Sequence, residues 1–124
     1  MALYQLNNFR ELLSSEDWCY FNRRRAIGTL DNLNWDDEYF LTVLNGLTED
    51  DFQKTVANCK IEDYPFAEYV DADQYQLHWD EEEHVRRPSL VGSTVCLSLK
   101  IAIITNEHGQ IAGVVTLHTS GTLG

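Results

Sequence analysis

The sequence predicts an α+β fold in which short helices pack on one face of a twisted antiparallel sheet. Residues 3–47 contain three stretches with apolar side chains at helical spacing, whereas residues 94–118 alternate between apolar and polar side chains, as strands do. No internal repeat and no linker divides the 124 residues. We therefore expect a single domain over residues 1–124 with one sizeable hydrophobic core.

The three helices are predicted from apolar periodicity and from capping residues. Apolar side chains recur every three or four positions over residues 3–14, 26–33 and 36–47. Asn34 is the predicted N-cap of the third helix, because the acidic residues that follow it suit the positive end of the helix dipole. Gly46 stands where a C-terminal cap belongs.

Strands are predicted on both sides of a long acidic segment. Residues 18–25 are expected to form a short strand and residues 52–57 another. Residues 58–83 show no sustained period, so we interpret them as a long loop or insertion in the domain. Beyond this segment, residues 94–104 and 111–118 alternate clearly and predict a β-hairpin.

The register of this hairpin follows from the separation of its two faces. A two-residue turn would mix the apolar and polar side chains of the two strands on one face. A three-residue loop over residues 107–109, with Gly109 in the left-handed conformation, keeps them apart. The expected pairs are Ile101 with Val115, Leu99 with Leu117, Lys100 with Thr116 and Ser98 with His118. The polar face of the predicted sheet then carries Cys96, Ser98, Lys100 and His118.

Charge is distributed unevenly along the chain. Twenty acidic residues oppose nine Lys and Arg, and the net charge of −11 argues at first against a nucleic-acid substrate. Residues 61–83, however, contain nine of the acidic residues and no Lys or Arg. The rest of the chain is close to neutral, so its composition permits an RNA-binding surface outside this segment.

The composition predicts a cytoplasmic protein that does not enter a membrane. The N-terminal residues lack the continuous apolar core of a signal peptide, and the apolar run over residues 90–104 is too short to span a bilayer. Cys19, Cys59 and Cys96 are odd in number and far apart, which indicates neither a disulfide framework nor a zinc knuckle. These features are typical of a reducing compartment.

Several segments resemble, in order and spacing, a known family of toxins. Residues 26–56, AIGTLDNLNWDDEYFLTVLNGLTEDDFQKTV, resemble without a gap the middle of the MqsR family of toxin–antitoxin ribonucleases. Residues 87–91 resemble that family's Arg-Pro-x-Leu-Val step, residues 99–101 its Leu-Lys-Ile strand, and residues 114–118 its last strand. The likeness covers about half of the chain, at the level of the family.

The resemblance implies both a fold and an activity. Members of the family are small α+β proteins with a RelE-like ribonuclease fold, which cut messenger RNA without a metal and are neutralised by a DNA-binding antitoxin. The implied function is a type II toxin that acts as a metal-independent endoribonuclease on mRNA, with no cofactor. The implied protein partner is a cognate antitoxin that itself binds DNA.

The family's catalytic positions fall on six residues of this chain, two of the positions by alternative alignments. They are Lys54, Asp80 or Glu83, Cys96 or Ser98, and His118. The choices depend on whether the alignment starts from Trp79, from Pro88 or from the Leu-Lys-Ile strand. Lys54 alone keeps the family's residue type. The departures leave open a second function, in which a degenerate member binds a protein partner and cleaves nothing.

The chemistry of RNA cleavage assigns roles to these side chains. Cleavage without a metal needs a base for the 2′-hydroxyl, an acid for the leaving 5′-oxygen and a cation facing the phosphorane. Lys54, the only basic residue between Arg25 and Lys60, suits the last role from a rigid strand. His118 suits proton transfer, because an unperturbed imidazole titrates near pH 6.5.

Arginines are the predicted RNA-binding residues, since a guanidinium can hold a phosphate by two parallel hydrogen bonds. Arg86 and Arg87 are expected at the scissile phosphate, and Arg23, Arg24 and Arg25 at flanking phosphates. The run from His78 to His84, with Asp80 and Glu81–Glu83, matches no strong metal-ligand motif. No metal site is predicted.

Overall fold

In a computed structural model, which describes residues 1–89 and 91–119, the chain forms helices packed on a six-stranded, mostly antiparallel sheet. The elements are α1 (Leu6–Ser14), β1 (Trp18–Tyr20), α2 (Arg23–Leu33), α3 (Asp37–Asn45), a 3-10 turn (Glu49–Asp51), β2 (Phe52–Lys60), β3 (Tyr69–Asp80), β4 (Val85–Arg87), β5 (Thr94–Asn106) and β6 (Gly109–Thr119). The predicted α+β class is confirmed. Within the described ranges no helix is long and apolar enough to cross a lipid bilayer.

The sheet has the strand order β1-β6-β5-β3-β2, and β4 pairs with the end of β3 that β2 leaves free. β1 runs parallel to β6, and the other pairs are antiparallel. The helices cover one face of this sheet. Its core includes Phe9, Leu30, Phe40 and Leu44 from the helices, and Tyr75, Leu77, Leu97, Leu99, Ile101 and Leu117 from the strands. Burial of each such side chain contributes on the order of 2 kcal/mol.

The third helix begins two residues later than predicted. Asp36, not Asn34, is its N-cap, and the Asp36 carboxylate accepts a hydrogen bond from the backbone N–H of Tyr39 at 2.8 Å. Asn34 instead ends α2 in the left-handed conformation, with φ 62°, which asparagine tolerates better than most residues. Gly46 follows α3 as predicted, but the reason is packing: a Cβ there would lie 2.9 Å from the Trp79 ring.

The loop predicted over residues 58–83 is wrong for most of its length. β2 continues to Lys60, and residues 69–80 form β3, which lies in the interior of the sheet between β2 and β5. The alternation that marks this strand consists of Tyr75, Leu77 and Trp79 on one side and Gln74, Gln76 and His78 on the other. The flanking carboxylates obscure this short alternation in the sequence.

One of these carboxylates is an internal anchor. Asp73 is fully buried and accepts hydrogen bonds from the backbone N–H groups of Leu3 and Tyr4, at 3.0 and 2.9 Å, and from the Thr55 hydroxyl at 2.9 Å. A buried carboxylate is tolerated only when donors satisfy it in this way. Asp73 therefore ties the N-terminal segment and β2 to the middle of the sheet.

The β5–β6 hairpin combines two registers. Next to the turn, pairing runs from Asn106 with Gly109 to Ile101 with Val114, so the connection has two residues and the predicted three-residue loop is wrong. Beyond an irregularity at Val115, the pairs are Lys100 with Thr116, Leu99 with Leu117 and Ser98 with His118, as predicted. A β-bulge in β6 thus supplies the extra residue that we expected in the loop.

Burial explains where the bulge falls. Val115 points to the second face of the sheet and joins Phe21, Ile61, Ala72 and Ala102 in a small separate core. The β2–β3 connection folds back over this core and covers one end of the second face. Gly113 lies directly beneath the Phe21 ring, where a Cβ would collide with it. Within residues 1–89 and 91–119, neither this connection nor a helix covers the other end of the second face.

The mixed register is testable by engineered disulfides in a background without the native cysteines. Ser98→Cys with His118→Cys should oxidise to a crosslink, because directly opposed strand residues have Cβ atoms about 4.5–5.5 Å apart, close to disulfide geometry. Leu97→Cys with His118→Cys is the pair required if the turn register continued without a bulge. Crosslinking of that second pair alone, read from nonreducing gels, would contradict the structure.

Candidate functional site

Polar side chains of five strands form rows across the end of the second sheet face that the β2–β3 connection does not cover. Lys54, Gln74, Lys100 and Thr116 are successive neighbours from β2 to β6. The next row consists of Gln76, Ser98 and His118, and the third of Arg87, His78 and Cys96. We call these ten residues the open face. They make a continuous polar surface on a rigid antiparallel scaffold.

The open face concentrates basic groups in an otherwise acidic chain. Lys54 and His118 are exposed, Lys100 and His78 are half-buried, and Arg87 borders them on β4. Adjacent strands lie about 4.8 Å apart, so the Cα atoms of Lys54 and Lys100 are about 10 Å apart, with Gln74 between them. Both flexible side chains can therefore reach one anion held above Gln74.

Four of the predicted catalytic residues share this face. Lys54 lies in the first row, Ser98 and His118 are directly opposed in the second, and Cys96 lies in the third. Ser98 is half-buried between Gln76 and His118. The bulge in β6 is what brings His118 to this side of the sheet.

Cys96 takes a supporting position on the face. Its side chain is only 6% exposed, and its sulfur accepts a hydrogen bond from Nε2 of Gln76 at 3.1 Å. This contact orients the Gln76 amide beside Ser98. Burial leaves the sulfur little access to a substrate.

Asp80 anchors the β3–β4 turn. Its carboxylate accepts hydrogen bonds from the backbone N–H groups of Glu82 and Glu83, each at 3.0 Å, from the Ser93 hydroxyl at 3.1 Å and from Nε of Arg87 at 3.0 Å. These hydrogen bonds, that of the Glu83 N–H first, hold the pKa of the Asp80 carboxyl below its usual range. Burial acts in the opposite direction and raises this pKa, but its effect is smaller than that of the donors together. The Glu83 side chain is exposed on this turn.

The two arginines of β4 point to opposite sides of the sheet, because successive strand residues alternate between faces. Arg86 faces the helices. There its Nε and Nη2 donate hydrogen bonds to the two oxygens of the Asp51 carboxylate, each at 2.9 Å. These hydrogen bonds raise the pKa of Arg86. Arg87 stays at the open face. The prediction that Arg86 and Arg87 together bind one phosphate is therefore wrong, because their side chains lie on opposite faces of the sheet.

Arg23, Arg24 and Arg25 lie in the first turn of α2, at the border of the open face. Two side chains fix this helix along β6: Asn22 donates to the Val115 carbonyl and Thr29 to the Leu117 carbonyl, each at 2.9 Å. A hollow of about 480 Å³ is lined there by Asn22, Arg24, Arg25 and Glu62. Arg24 and Arg25 thus stand beside the strand that carries Thr116 and His118.

Acidic side chains partly balance this border. The Asp63 carboxylate accepts a hydrogen bond from the backbone N–H of Arg23 at 2.6 Å, and Glu62 lines the same hollow. The Arg23 guanidinium lies 5.9 Å from the centre of the Tyr20 ring. Flanking phosphates would meet a mixed surface at α2, unlike the basic first row of the open face.

The residues that sequence reasoning missed are those of β3. Gln74, Gln76 and His78 belong to the open face, but the segment that holds them was predicted as a loop. In the sequence they could have been found by the period-2 alternation with Tyr75, Leu77 and Trp79.

Among residues 1–89 and 91–119, no three His, Cys, Asp or Glu side chains converge as metal ligands. His84 instead packs edge-on against the Tyr39 ring, with centroids 5.4 Å apart.

Comparison with known proteins returned no family model, no curated protein and no solved structure that matches this chain. The likeness of residues 26–56 to the MqsR family therefore stays a prediction from the sequence.

The role of Asp80 is testable through the pH dependence of stability. Because the folded-state pKa lies below the unfolded value of about 3.9, the ionised carboxylate stabilises the fold above that pH, and this contribution is lost as pH falls through the folded pKa. Asp80→Asn should lower the free energy of unfolding at pH 7, by a difference from wild type that shrinks near pH 3. Urea denaturation at both pH values measures this.

The exposed neighbour offers a matched control. Glu82→Gln removes a carboxylate from the same turn but keeps the backbone N–H that bonds Asp80, so its unfolding free energy should follow wild type at both pH values. An Asp80→Asn difference that stays constant between pH 7 and pH 3 would show that the ionised carboxylate does not stabilise the turn.

Proposed function

We propose that this protein is a metal-independent endoribonuclease that cleaves single-stranded RNA on the open face, and that it acts in the cytoplasm as the toxin of a type II toxin–antitoxin pair. The observation that carries the catalytic part is the placement of Lys54, Lys100 and His118 on one rigid polar sheet face. A chain with a net charge of −11 that gathers basic groups on one surface has the electrostatics expected of an anion site.

The first row of the open face suits a phosphodiester. Lys54 and Lys100 flank Gln74, so a phosphate above this glutamine meets an ammonium from either side and an amide donor from below. The sheet fixes the backbone positions from which these two charges extend, and an ammonium group beside the developing charge stabilises the phosphorane. Removal of one such group typically costs about 10²–10³ in rate.

His118 adds proton transfer to this site. Its register position is diagonal to Lys100, which places the two Cβ atoms roughly 7–8 Å apart on the same face. In the proposed reaction the ribose 2′-oxygen attacks the adjacent phosphorus, the bond from phosphorus to the 5′-oxygen breaks, and a 2′,3′-cyclic phosphate and a 5′-hydroxyl result. His118 carries one of the two protons that this reaction moves.

The toxin part of the proposal rests on the resemblance of residues 26–56 to the MqsR family. That family pairs its ribonucleases with a DNA-binding antitoxin, and we extend this pairing to the present chain. Lys54 and His118 are exposed on the open face, so messenger RNA can reach them when no partner is bound. An antitoxin that covers the open face would block the reaction directly.

A second function has its own support. Asp80 is held by four donors and Cys96 is largely buried, so in the alignments that select these two residues neither family position presents a free catalytic group. A protein that binds a partner through the open face and cleaves nothing would tolerate both substitutions. RNA cleavage itself distinguishes the two functions.

Loss of activity in single variants tests the catalytic assignment. Lys54→Ala and His118→Ala should each abolish growth arrest on expression and lower the cleavage rate of a single-stranded RNA by about 10²-fold or more, with 2′,3′-cyclic phosphate as the wild-type product. Both residues are exposed, so the unfolding free energy should change by less than about 0.5 kcal/mol. Lys60→Ala, on the same strand beyond the open face, is the control.

Two results would count against this assignment. Unaltered toxicity and cleavage in both variants would exclude Lys54 and His118 from the site. Wild-type protein that binds RNA or a partner but leaves RNA intact would favour the binding-only function.

Salt dependence tests the phosphate site separately from catalysis. A 2′-O-methyl oligonucleotide binds without being cut, and its affinity should fall with salt concentration as bound counterions are exchanged. Lys54→Ala and Lys100→Ala should each reduce the slope of log K against log salt by about 0.7, the value for one phosphate contact on a single strand. Fluorescence anisotropy measures this, and Lys60→Ala should leave the slope unchanged. Equal slopes in all four proteins would remove the two lysines from the phosphate site.

A further inference from the structure

We propose that His78 is the second proton-transfer residue of the open face and works with His118 as an acid–base pair on one phosphodiester. This inference rests on the proposed endoribonuclease function and completes it, because that reaction moves two protons and His118 carries one. His78 belongs to β3 and has no counterpart among the catalytic residues that the sequence predicted.

The direction of the His78 side chain follows from its neighbours along β3. Leu77 and Trp79 are buried beneath the helices, so His78 between them must point to the opposite side of the sheet. Its Cα partners are Cys96 on β5 and Arg87 on β4. The ring is half-buried and lies on the same face as His118.

The spacing of the two histidines leaves room for a substrate. His118 pairs with Ser98, which pairs with Gln76, and His78 lies two residues farther along the same strand. Two strand spacings and two residue rises place the two Cα atoms about 12 Å apart. Both side chains stand on one face, so the reacting phosphodiester can lie between the imidazoles, at the side of Gln76 and Ser98 that is nearest Gln74. The long side chains of Lys54 and Lys100 can reach it there from the adjacent row.

This arrangement balances the reaction without a further reactant. One imidazole takes the proton of the 2′-hydroxyl as its oxygen bonds to phosphorus. The other, as the imidazolium, gives its proton to the 5′-oxygen as the bond from phosphorus to that oxygen breaks. The pair ends with its protonation states exchanged, and water restores them before the next turnover.

Within residues 1–89 and 91–119, His78 forms no ion pair with a carboxylate. Arg87 faces it from β4, and the Nε of Arg87 is engaged by Asp80, so this carboxylate is held by its own donors. Cys96 faces it from β5 and is oriented towards Gln76. Lys100 and His118 are the remaining ionisable groups on the β5 and β6 part of the face.

The chain supplies matched controls for a histidine test. It has four histidines, and the other two lie off the open face. His84 packs against Tyr39 in the turn after β3, and His108 lies in the β5–β6 turn, largely exposed beside Glu107. Alanine at either of these positions removes the same chemical group without touching the proposed pair.

The decisive experiment measures single-turnover cleavage of a short single-stranded RNA between pH 5 and pH 9. Wild type should give a bell-shaped profile, because one imidazole must be neutral and the other protonated. His78→Ala and His118→Ala should each lose one limb and at least about 10² in rate, and the double variant should be little slower than either, as expected for residues that act as a unit. His84→Ala and His108→Ala should stay within twofold of wild type.

A modified substrate separates the two roles. An RNA with sulfur in place of the bridging 5′-oxygen has a leaving group that needs no proton. It should restore the rate of the variant that lacks the acid and leave the variant that lacks the base slow. A purely structural role for His78 would give no such selective rescue.

The outcomes distinguish this inference from the function on which it rests. If wild type leaves RNA intact, the proposed endoribonuclease function is wrong, and so is the role proposed for His78 and His118. If wild type cleaves, but His78→Ala keeps both limbs and its rate within threefold, only the role of His78 is wrong. His78→Gln, measured in the same way, keeps the test valid where the alanine variant does not fold.

Discussion

β3 presents Tyr75, Leu77 and Trp79 to the helices and Gln74, Gln76 and His78 to the other side of the sheet, and the remaining structure depends on this division. The apolar side gives the helices the surface on which they bury their own stripes. The polar side supplies the middle of the open face. Because the period of a strand is two, one side cannot change its partners without moving the other.

The bulge at Val115 reconciles two demands on β6. Near the turn, Val115 is needed in the small core beneath Phe21, whereas farther on Leu117 must meet Leu99 in the main core. A regular strand after a two-residue turn would place Val115 in the small core, but it would also place His118 on the helix side of the sheet. One extra residue restores the alternation, so His118 opposes Ser98. The geometry of the proposed site is therefore a consequence of how two cores are packed.

The acidity of the chain has two separate physical meanings. Asp51, Asp73 and Asp80 are buried and fully engaged, by Arg86, by the N-terminal backbone and by the β3–β4 turn respectively, so they act as internal anchors. Many of the others are exposed on the helices, turns and β2–β3 connection. Neither group lies in the first two rows of the open face, which is why a net charge of −11 is compatible with a basic anion site on one surface.

The sequence by itself determined the fold class, the presence of the three helices and the polar face of the β5–β6 hairpin, because each depends on a local period of apolar residues. The strand predicted over residues 18–25 is wrong for residues 23–25, which form the first turn of α2. The sequence also determined that Lys54, Ser98 and His118 lie on strands. Tertiary structure alone decided three features. Residues 69–80 form an interior strand, and the side chains of Arg86 and Arg87 point to opposite faces of the sheet. The extra residue of the hairpin is Val115, in the bulge of β6. Each depends on partners distant in sequence, since β3 is recognised by the strands and helices that cover it and a bulge forms where packing on both faces demands it.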